Sequence, residues 1–95
     1  MKKKMKPSKA MLRGFAMAGG NQCTGEYFFG DPKHPVSVCA IGALQLGRYA
    51  DADCCIGSGD VDDVFITATG TSIVTANDAG MSIPDIAGIL ASEGY

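Results

Sequence analysis

The segment from Ser37 to Ala50 constrains the fold more than any other part of the chain. Ser37 is a preferred N-cap residue and predicts a helix over residues 38–49. Small and apolar side chains then recur on one helical stripe: Cys39, Gly42, Ala43, Leu46 and Ala50. Glycine inside a helix costs roughly 1 kcal/mol relative to alanine, so Gly42 implies that a neighbouring element approaches closely. We therefore expect a central, buried helix in which a large residue at Ala40, Gly42 or Ala43 would overpack the core.

The N-terminal part predicts one helix followed by a loop. Ser8 is the expected N-cap of a helix over residues 9–18, in which apolar side chains recur at helical spacing until two glycines end the pattern. Residues 21–36 then hold glycines and prolines around the aromatic run from Tyr27 to Phe29. We expect a loop there with a short strand or hairpin, and we expect its aromatic rings to cover the core.

The C-terminal part predicts three further helices, over residues 61–68, 72–78 and 83–93. Asp60 is the expected cap of the first of these helices. The β-branched residues between Val64 and Thr69 also suit a strand. The predicted fold class is therefore mainly α with a C-terminal helical hairpin, and an α+β fold with a short hairpin is the alternative.

The turn between the last two helices has its own sequence signature. Asn77, Asp78 and Gly80 are expected to form it, since asparagine tolerates left-handed backbone at a helix end and aspartate accepts hydrogen bonds from nearby turn amides. Ser82 is expected to begin the final helix, with Asp85 three residues later as a carboxylate variant of the capping box. The chain then reads as a basic flexible arm over residues 1–7 and one globular domain over residues 8–95.

The spacing of this hairpin fits a helix-turn-helix motif, whereas its chemistry does not. A small residue, a turn glycine and apolar positions at three-residue steps are present: Ala76, Gly80, Ile83, Ile86 and Ile89. A recognition helix must present arginine, lysine, asparagine or glutamine to base edges. The final helix offers proline, aspartate, glycine, serine and glutamate instead. We therefore predict helix packing here rather than sequence-specific reading of DNA.

Charge divides the chain into a basic arm and an acidic body. Most of the basic residues lie within the first 13 positions: Lys2, Lys3, Lys4, Lys6, Lys9 and Arg13. The two remaining basic residues stand against ten acidic ones, so residues 14–95 carry a net charge of −8. The arm could neutralise phosphates. Five aspartates in one connection could instead compete for a basic groove on a partner: Asp51, Asp53, Asp60, Asp62 and Asp63.

The reactive side chains do not follow a pattern typical of an enzyme or a metal site. Structural zinc ligands are usually paired two to four residues apart, whereas Cys23, His34 and Cys39 are scattered and Cys54 and Cys55 are adjacent. A cysteine nucleophile needs a base, but the single histidine lies close to two prolines in what we expect to be an exposed loop. We therefore predict no catalytic residue, no metal and no cofactor.

The chain has no apolar run long enough to span a membrane. The longest run, Val38 to Leu44, is far below the roughly 18 to 20 residues that a bilayer requires. The N-terminal lysines are not followed by the continuous apolar segment of a signal peptide. We therefore expect a cytoplasmic protein that makes no contact with a membrane.

Two segments together resemble a family of small, functionally uncharacterised proteins of bacteria and their phages. One segment is Cys39 to Ala43, which has the pattern Cys-Ala-(Ile/Leu)-Gly-Ala, and the other is the Asn77-Asp78 pair before a final helix with an Ile86-Ala87 step. The resemblance implies a helical fold with an N-terminal helix and a phage or prophage origin. It brings no established activity with it.

These observations lead to two main functional hypotheses; a third, a small thiol or metal protein, predicts stoichiometric zinc in the purified protein and loss of structure with a chelator. The first is a small non-enzymatic binding protein of phage type that occupies the surface of a host protein, as an inhibitor of a nucleic-acid-handling or defence complex of the CRISPR or restriction kind. The alternative is a DNA-associated accessory protein that uses the basic arm and the helical hairpin. Under both hypotheses the protein acts in the cytoplasm of a bacterial host.

Overall fold

Two helices that are far apart in sequence pack against each other at the centre of the fold. The structure is a computed structural model that describes residues 5–53 and 59–95. Its elements follow in this order: α1 (Pro7–Met17), β1 (Phe28–Asp31), β2 (His34–Val38), α2 (Ala40–Tyr49), α3 (Gly59–Thr69), α4 (Ile73–Asp78) and α5 (Ile83–Ser92). The predicted mainly α domain with a short hairpin is confirmed, and the segment that also suited a strand is helical.

Glycines allow α1 and α2 to approach each other at backbone distance. A Cβ atom on Gly14 would overlap the carbonyl group of Ala43, and a Cβ on Gly47 would overlap that of Ala10. A Cβ on Gly42 would likewise overlap the carbonyl oxygen of Tyr27. The predicted close approach at Gly42 is therefore confirmed, and the neighbouring element is the segment that leads into β1.

β2 is bonded on both of its edges. On one edge it pairs antiparallel with β1, with Phe28 opposite Val38 and an irregularity in the register next to Gly30. On the other edge, Gln22 forms an isolated parallel bridge to Val38. The bridge consists of two bonds, from Val38 N–H to the Asn21 carbonyl over 3.1 Å and from Cys23 N–H to the Val38 carbonyl over 2.9 Å.

The predicted caps of the first two long helices are wrong. Lys6 is the N-cap of α1, and Pro7 follows it in the first turn, where a missing N–H costs nothing. Ser8 is instead buried inside the helix, and its N–H donates to the carbonyl of Tyr95 over 2.9 Å. Ser37 lies in β2, and the N-cap of α2 is Cys39, whose sulfur accepts a bond from the Gly42 amide over 3.4 Å.

Other details of the sequence prediction also change. Ala50 ends α2 in the left-handed conformation, with φ of 58°, and is exposed rather than part of the buried stripe. Tyr27 and Phe29 do not cover the core, since their side chains are 48% and 50% exposed. Phe28 is the one of the three aromatic residues that packs against it. α3 begins at Gly59, so Asp60 lies in its first turn rather than at its cap.

The hairpin of α4 and α5 begins each helix with a serine cap. The hydroxyl of Ser72 accepts a bond from the Thr75 amide, and that of Ser82 accepts one from the Asp85 amide, each over 3.2 Å. The predicted start of the last helix at Ser82 is therefore confirmed. No helix within the described ranges is long and apolar enough to cross a bilayer.

The core lies between α1, α2 and the three C-terminal helices. The largest fully buried side chains among the described residues are Phe65, Met11, Leu44, Leu46, Ile73, Ile83, Ile86, Leu90, Val38, Val61 and Asn77. Ten of these eleven are apolar, and the exception is Asn77. A fully buried polar group needs hydrogen-bond partners inside the protein. Asn77 therefore marks a polar site within the apolar core.

Candidate functional site: a cysteine-lined cleft held by Gln22 and Asn77

Asn77 lies in the last turn of α4 and is 1% exposed. The prediction that it supplies a left-handed turn residue is wrong, because Gly80 takes the positive φ, at 104°. The side chain of Asn77 instead points into the protein, where its Oδ1 accepts a bond from the Ala40 amide over 3.0 Å. Its Nδ2 donates to the Cys23 carbonyl over 2.9 Å. One carboxamide thus joins α4 to the start of α2 and to the segment after α1.

The Asn77 carboxamide stands where the next rung of the parallel bridge would form. The ladder runs from the Asn21 carbonyl through Val38 to the Cys23 amide. In a regular parallel pair the Cys23 carbonyl would accept its next bond from the Ala40 amide. Here the side chain of Asn77 is inserted between these two groups and satisfies both. The two segments are therefore held in register just as they begin to separate.

Gln22 completes the polar connection on the other side of Asn77. Its Nε2 donates to Asn77 Oδ1 and to the Met81 carbonyl, each over 2.8 Å. Its Oε1 accepts a bond from the Ile83 amide over 2.8 Å. Gln22 therefore ties the α4–α5 turn and the first residue of α5 to the segment after α1, a role that sequence reasoning missed.

Asp78 follows Asn77 and is exposed. Its Oδ1 accepts a bond from the Gly25 amide over 3.2 Å and lies 3.5 Å from the Nδ2 of Asn77. The expected bond from a nearby turn amide is therefore replaced by a bond from an amide 53 residues earlier in the chain. Asp78 thus ties the segment 23–27 to the end of α4.

A cleft of about 180 Å³ lies between this segment and the two helices that it contacts. The residues around it come from three parts of the chain: Gly25, Glu26, Tyr27, Cys39, Val74 and Asp78. Two of the lining residues, Glu26 and Asp78, carry carboxylates, and a third, Cys39, is the N-cap residue of α2. The cleft is smaller than the roughly 300 Å³ at which small-molecule pockets usually begin, so its dimensions suit a group of a few atoms.

Both described thiols lie at or beside this cleft. Burial raises the pKa of the Cys39 thiol, and amide bonds from α2 lower it in part. Burial also raises the pKa of the Cys23 thiol, which a bond to the Ser37 side chain partly offsets and which the nearby charges of Glu26 and Asp78 raise further. Both cysteines are therefore thiols at neutral pH, and neither is activated as a nucleophile.

The histidine that a cysteine nucleophile would need lies in β2. His34 is exposed, as expected, but begins a strand instead of lying in a loop. The sulfur of Cys39 bonds to an amide of its own helix, and that of Cys23 donates weakly to the Glu26 carbonyl over 3.5 Å. Among the described residues, no three histidine, cysteine or acidic side chains are placed to hold a metal ion.

The five aspartates of the predicted acidic surface take different roles. Asp62 accepts a bond from the Ile73 amide over 2.9 Å and so ties α3 to the first residue of α4. Asp51 accepts one from the Asp53 amide over 2.9 Å. Asp60 and Asp63 lie one turn apart on α3, and both are exposed. Two of the exposed aspartates, Asp60 and Asp63, therefore lie together at the start of α3.

The basic residues that the structure describes near the N-terminus share one side of α1. Lys6, Lys9 and Arg13 are all exposed and follow at steps of three and four residues. Lys2, Lys3 and Lys4, as well as Cys54 and Cys55, lie outside the described ranges. Comparison with protein-family models, curated proteins and solved structures gave no match for this chain.

Proposed function

We propose that this chain is a small non-enzymatic binding protein that occupies a basic surface of a host protein. The observation that carries the proposal is the outward face of α3, where Asp60 and Asp63 are both exposed and Ile66 beside them is 40% exposed. An exposed apolar side chain next to carboxylates suits a protein interface, because the apolar contact adds affinity and the charges direct the encounter.

The charge of the whole body supports the same proposal. Residues 14–95 carry a net charge of −8, which favours a partner with a basic groove and gives an association rate that falls with salt. A basic groove is typical of proteins that handle nucleic acid. We therefore expect the partner to belong to a nucleic-acid-handling or defence complex of a bacterial host, and we propose a phage-type role for the chain on the resemblance of its Cys39–Ala43 and Asn77–Asp78 motifs.

The test is charge reversal on this face of α3. The tagged chain is used to capture partners from bacterial lysate with and without nuclease, and the captured proteins are identified by mass spectrometry. One protein that survives nuclease treatment is expected with the unchanged chain. Asp60→Lys with Asp63→Lys should reduce its capture and flatten the dependence of binding on salt.

Glu93→Lys is the matched control, since Glu93 is also exposed and the same charge change at the end of α5 suits the helix dipole. It should be compared with Asp63→Lys alone, so that one reversal is matched by one reversal. If Asp63→Lys and Glu93→Lys bind equally well with the same salt dependence, the α3 face is not the binding surface.

The alternative is a DNA-associated accessory protein, which the shared exposed side of Lys6, Lys9 and Arg13 favours. Each phosphate contact adds a salt-dependent increment of affinity. Lys9→Gln with Arg13→Gln should then lower retention on DNA at low salt and reduce the salt slope by about 2. If these substitutions leave retention on DNA unchanged, this side of α1 is not a DNA-binding surface.

A further inference from the structure

The two described cysteines are the residues that follow the two partners of the parallel bridge, Gln22 and Val38. The last regular rung runs from Cys23 N–H to the Val38 carbonyl over 2.9 Å, and Cys39 is the residue after Val38. Cys23 and Cys39 therefore occupy matching positions on neighbouring segments. Matching residues of a parallel pair point to the same face, and paired strands run about 4.8 Å apart.

The insertion of Asn77 sets the separation just beyond this rung. Its Oδ1 accepts a bond from the Ala40 amide, and its Nδ2 donates to the Cys23 carbonyl. The 2.9 Å bond from Cys23 N–H to the carbonyl just before Cys39 keeps the two segments at strand spacing, so from this register we expect the Cα atoms of the two cysteines roughly 5 Å apart, inside the range of about 4.4 to 6.8 Å that disulfides require.

The two sulfur atoms are held only by weak bonds, which for Cys23 include one to the Ser37 side chain. Cys23 donates weakly to the Glu26 carbonyl over 3.5 Å, and Cys39 accepts from the Gly42 amide over 3.4 Å. Such bonds are among the weakest that side chains form. Cys23 is partly exposed, and Cys39 lines the cleft, so a small oxidant can reach the pair from outside.

We propose that Cys23 and Cys39 are a modification site at which a peroxide forms a disulfide, so that the segment 23–27 becomes covalently fixed to the start of α2. This inference does not depend on the binding surface of α3. With hydrogen peroxide as oxidant, the Cys23 thiol first loses its proton to solvent and its sulfur then attacks one peroxide oxygen; the O–O bond breaks, Cys23 becomes a sulfenic acid, and the released hydroxide takes up a proton as water.

The Cys39 sulfur then attacks the sulfenic sulfur and a second water leaves. The two thiols thus lose two protons and two electrons, and one peroxide is reduced to two waters. The product closes a loop over residues 23–39 that contains the whole β1–β2 hairpin. Because the loop restricts the unfolded chain, the oxidised protein should unfold at a temperature higher by roughly 10 °C.

Tryptic digestion distinguishes this disulfide from every other pairing. Cleavage after Arg13, Lys33 and Arg48 places Cys23 in peptide 14–33, Cys39 in peptide 34–48, and both Cys54 and Cys55 in peptide 49–95. The purified chain is treated with hydrogen peroxide, alkylated and digested without reductant. We expect peptides 14–33 and 34–48 to appear linked, with a mass lower by two hydrogen atoms than the sum of the two reduced peptides.

The same experiment on Cys54→Ser with Cys55→Ser should give the same linked peptides and the same rise in unfolding temperature. In that background, Cys39→Ser is the matched control, because serine is a preferred N-cap and keeps α2 capped. It should abolish both the link and the rise. The proposal is overturned if peptide 14–33 links to peptide 49–95 instead, or if the cysteines are oxidised while peptides 14–33 and 34–48 stay separate.

Discussion

The Nε2 of Gln22 donates to the Oδ1 of Asn77 over 2.8 Å, which joins two side chains that are 55 residues apart in the chain. Asn77 is fully buried and Gln22 is half-buried, so this bond lies away from bulk water. Through further bonds to the Cys23 carbonyl and the Ala40 and Ile83 amides, the pair connects three parts of the chain. Removing either side chain would leave buried backbone groups without partners.

The first prediction concerns Asn77. Asn77→Ala should lower the free energy of unfolding by about 2 to 4 kcal/mol, because the Ala40 amide and the Cys23 carbonyl lose their hydrogen-bond partner and a small cavity is left. Asn77→Asp keeps the shape but loses the donor, so a comparable loss is expected. Urea unfolding followed by circular dichroism measures both. Thr67→Ala, at an exposed position of α3, is the control and should change stability by less than about 0.5 kcal/mol.

The second prediction compares two glycines inside helices. Gly47→Ala should destabilise the protein by about 2 kcal/mol or more, because the added Cβ overlaps the Ala10 carbonyl and forces α1 and α2 apart. Gly88→Ala on α5 meets nothing within 4 Å and should instead stabilise it by about 0.5 to 1 kcal/mol. Thermal unfolding of both variants provides the measurement, and equal shifts would contradict the close helix contact.

The third prediction follows from the raised pKa of both described thiols. Burial favours the neutral thiol in the folded state, so these groups contribute stability below the pKa of the unfolded thiol. That contribution is lost as the pH rises through the higher folded pKa. The urea midpoint should therefore fall between pH 8 and pH 10 more steeply for the unchanged chain than for Cys23→Ser with Cys39→Ser. Parallel pH curves for the two proteins would show that the thiols titrate alike when folded and unfolded.

Sequence reasoning identified the elements of the fold because those elements depend on local patterns. The apolar spacing of α5 and the serine at its start are both visible within ten residues, and both are found in the structure. Gly42 shows that an unfavourable residue can predict a contact, because a glycine that destabilises its own helix implied a closely approaching neighbour. The neighbour itself, the Tyr27 carbonyl, could not be identified, because it depends on how the chain returns to α2.

The predictions failed where neighbouring residues compete or where partners are distant. Ser8 and Ser37 are good caps in isolation, but Pro7 suits the first turn of α1 and the strand pairing of β2 continues to Val38. Gln22 carries no local signal, because a polar residue beside glycines looks like any loop residue. Its function depends on the Ile83 amide and on Asn77, which only the folded chain brings near.

The last prediction separates a structural aspartate from the exposed aspartates beside it. Asp62 accepts a bond from the Ile73 amide at the start of α4, so Asp62→Ala should lower the free energy of unfolding by about 1 kcal/mol, as the loss of a helix cap does. Asp63→Ala, one residue later and exposed, should change it by less than about 0.5 kcal/mol. Chemical unfolding measures the stability of the two variants. Capture of a partner should instead be weakened more by Asp63→Ala than by Asp62→Ala. If Asp62→Ala weakens capture more than Asp63→Ala while stability is unchanged in both, then Asp62 is part of the binding surface and its bond to Ile73 contributes little to the fold.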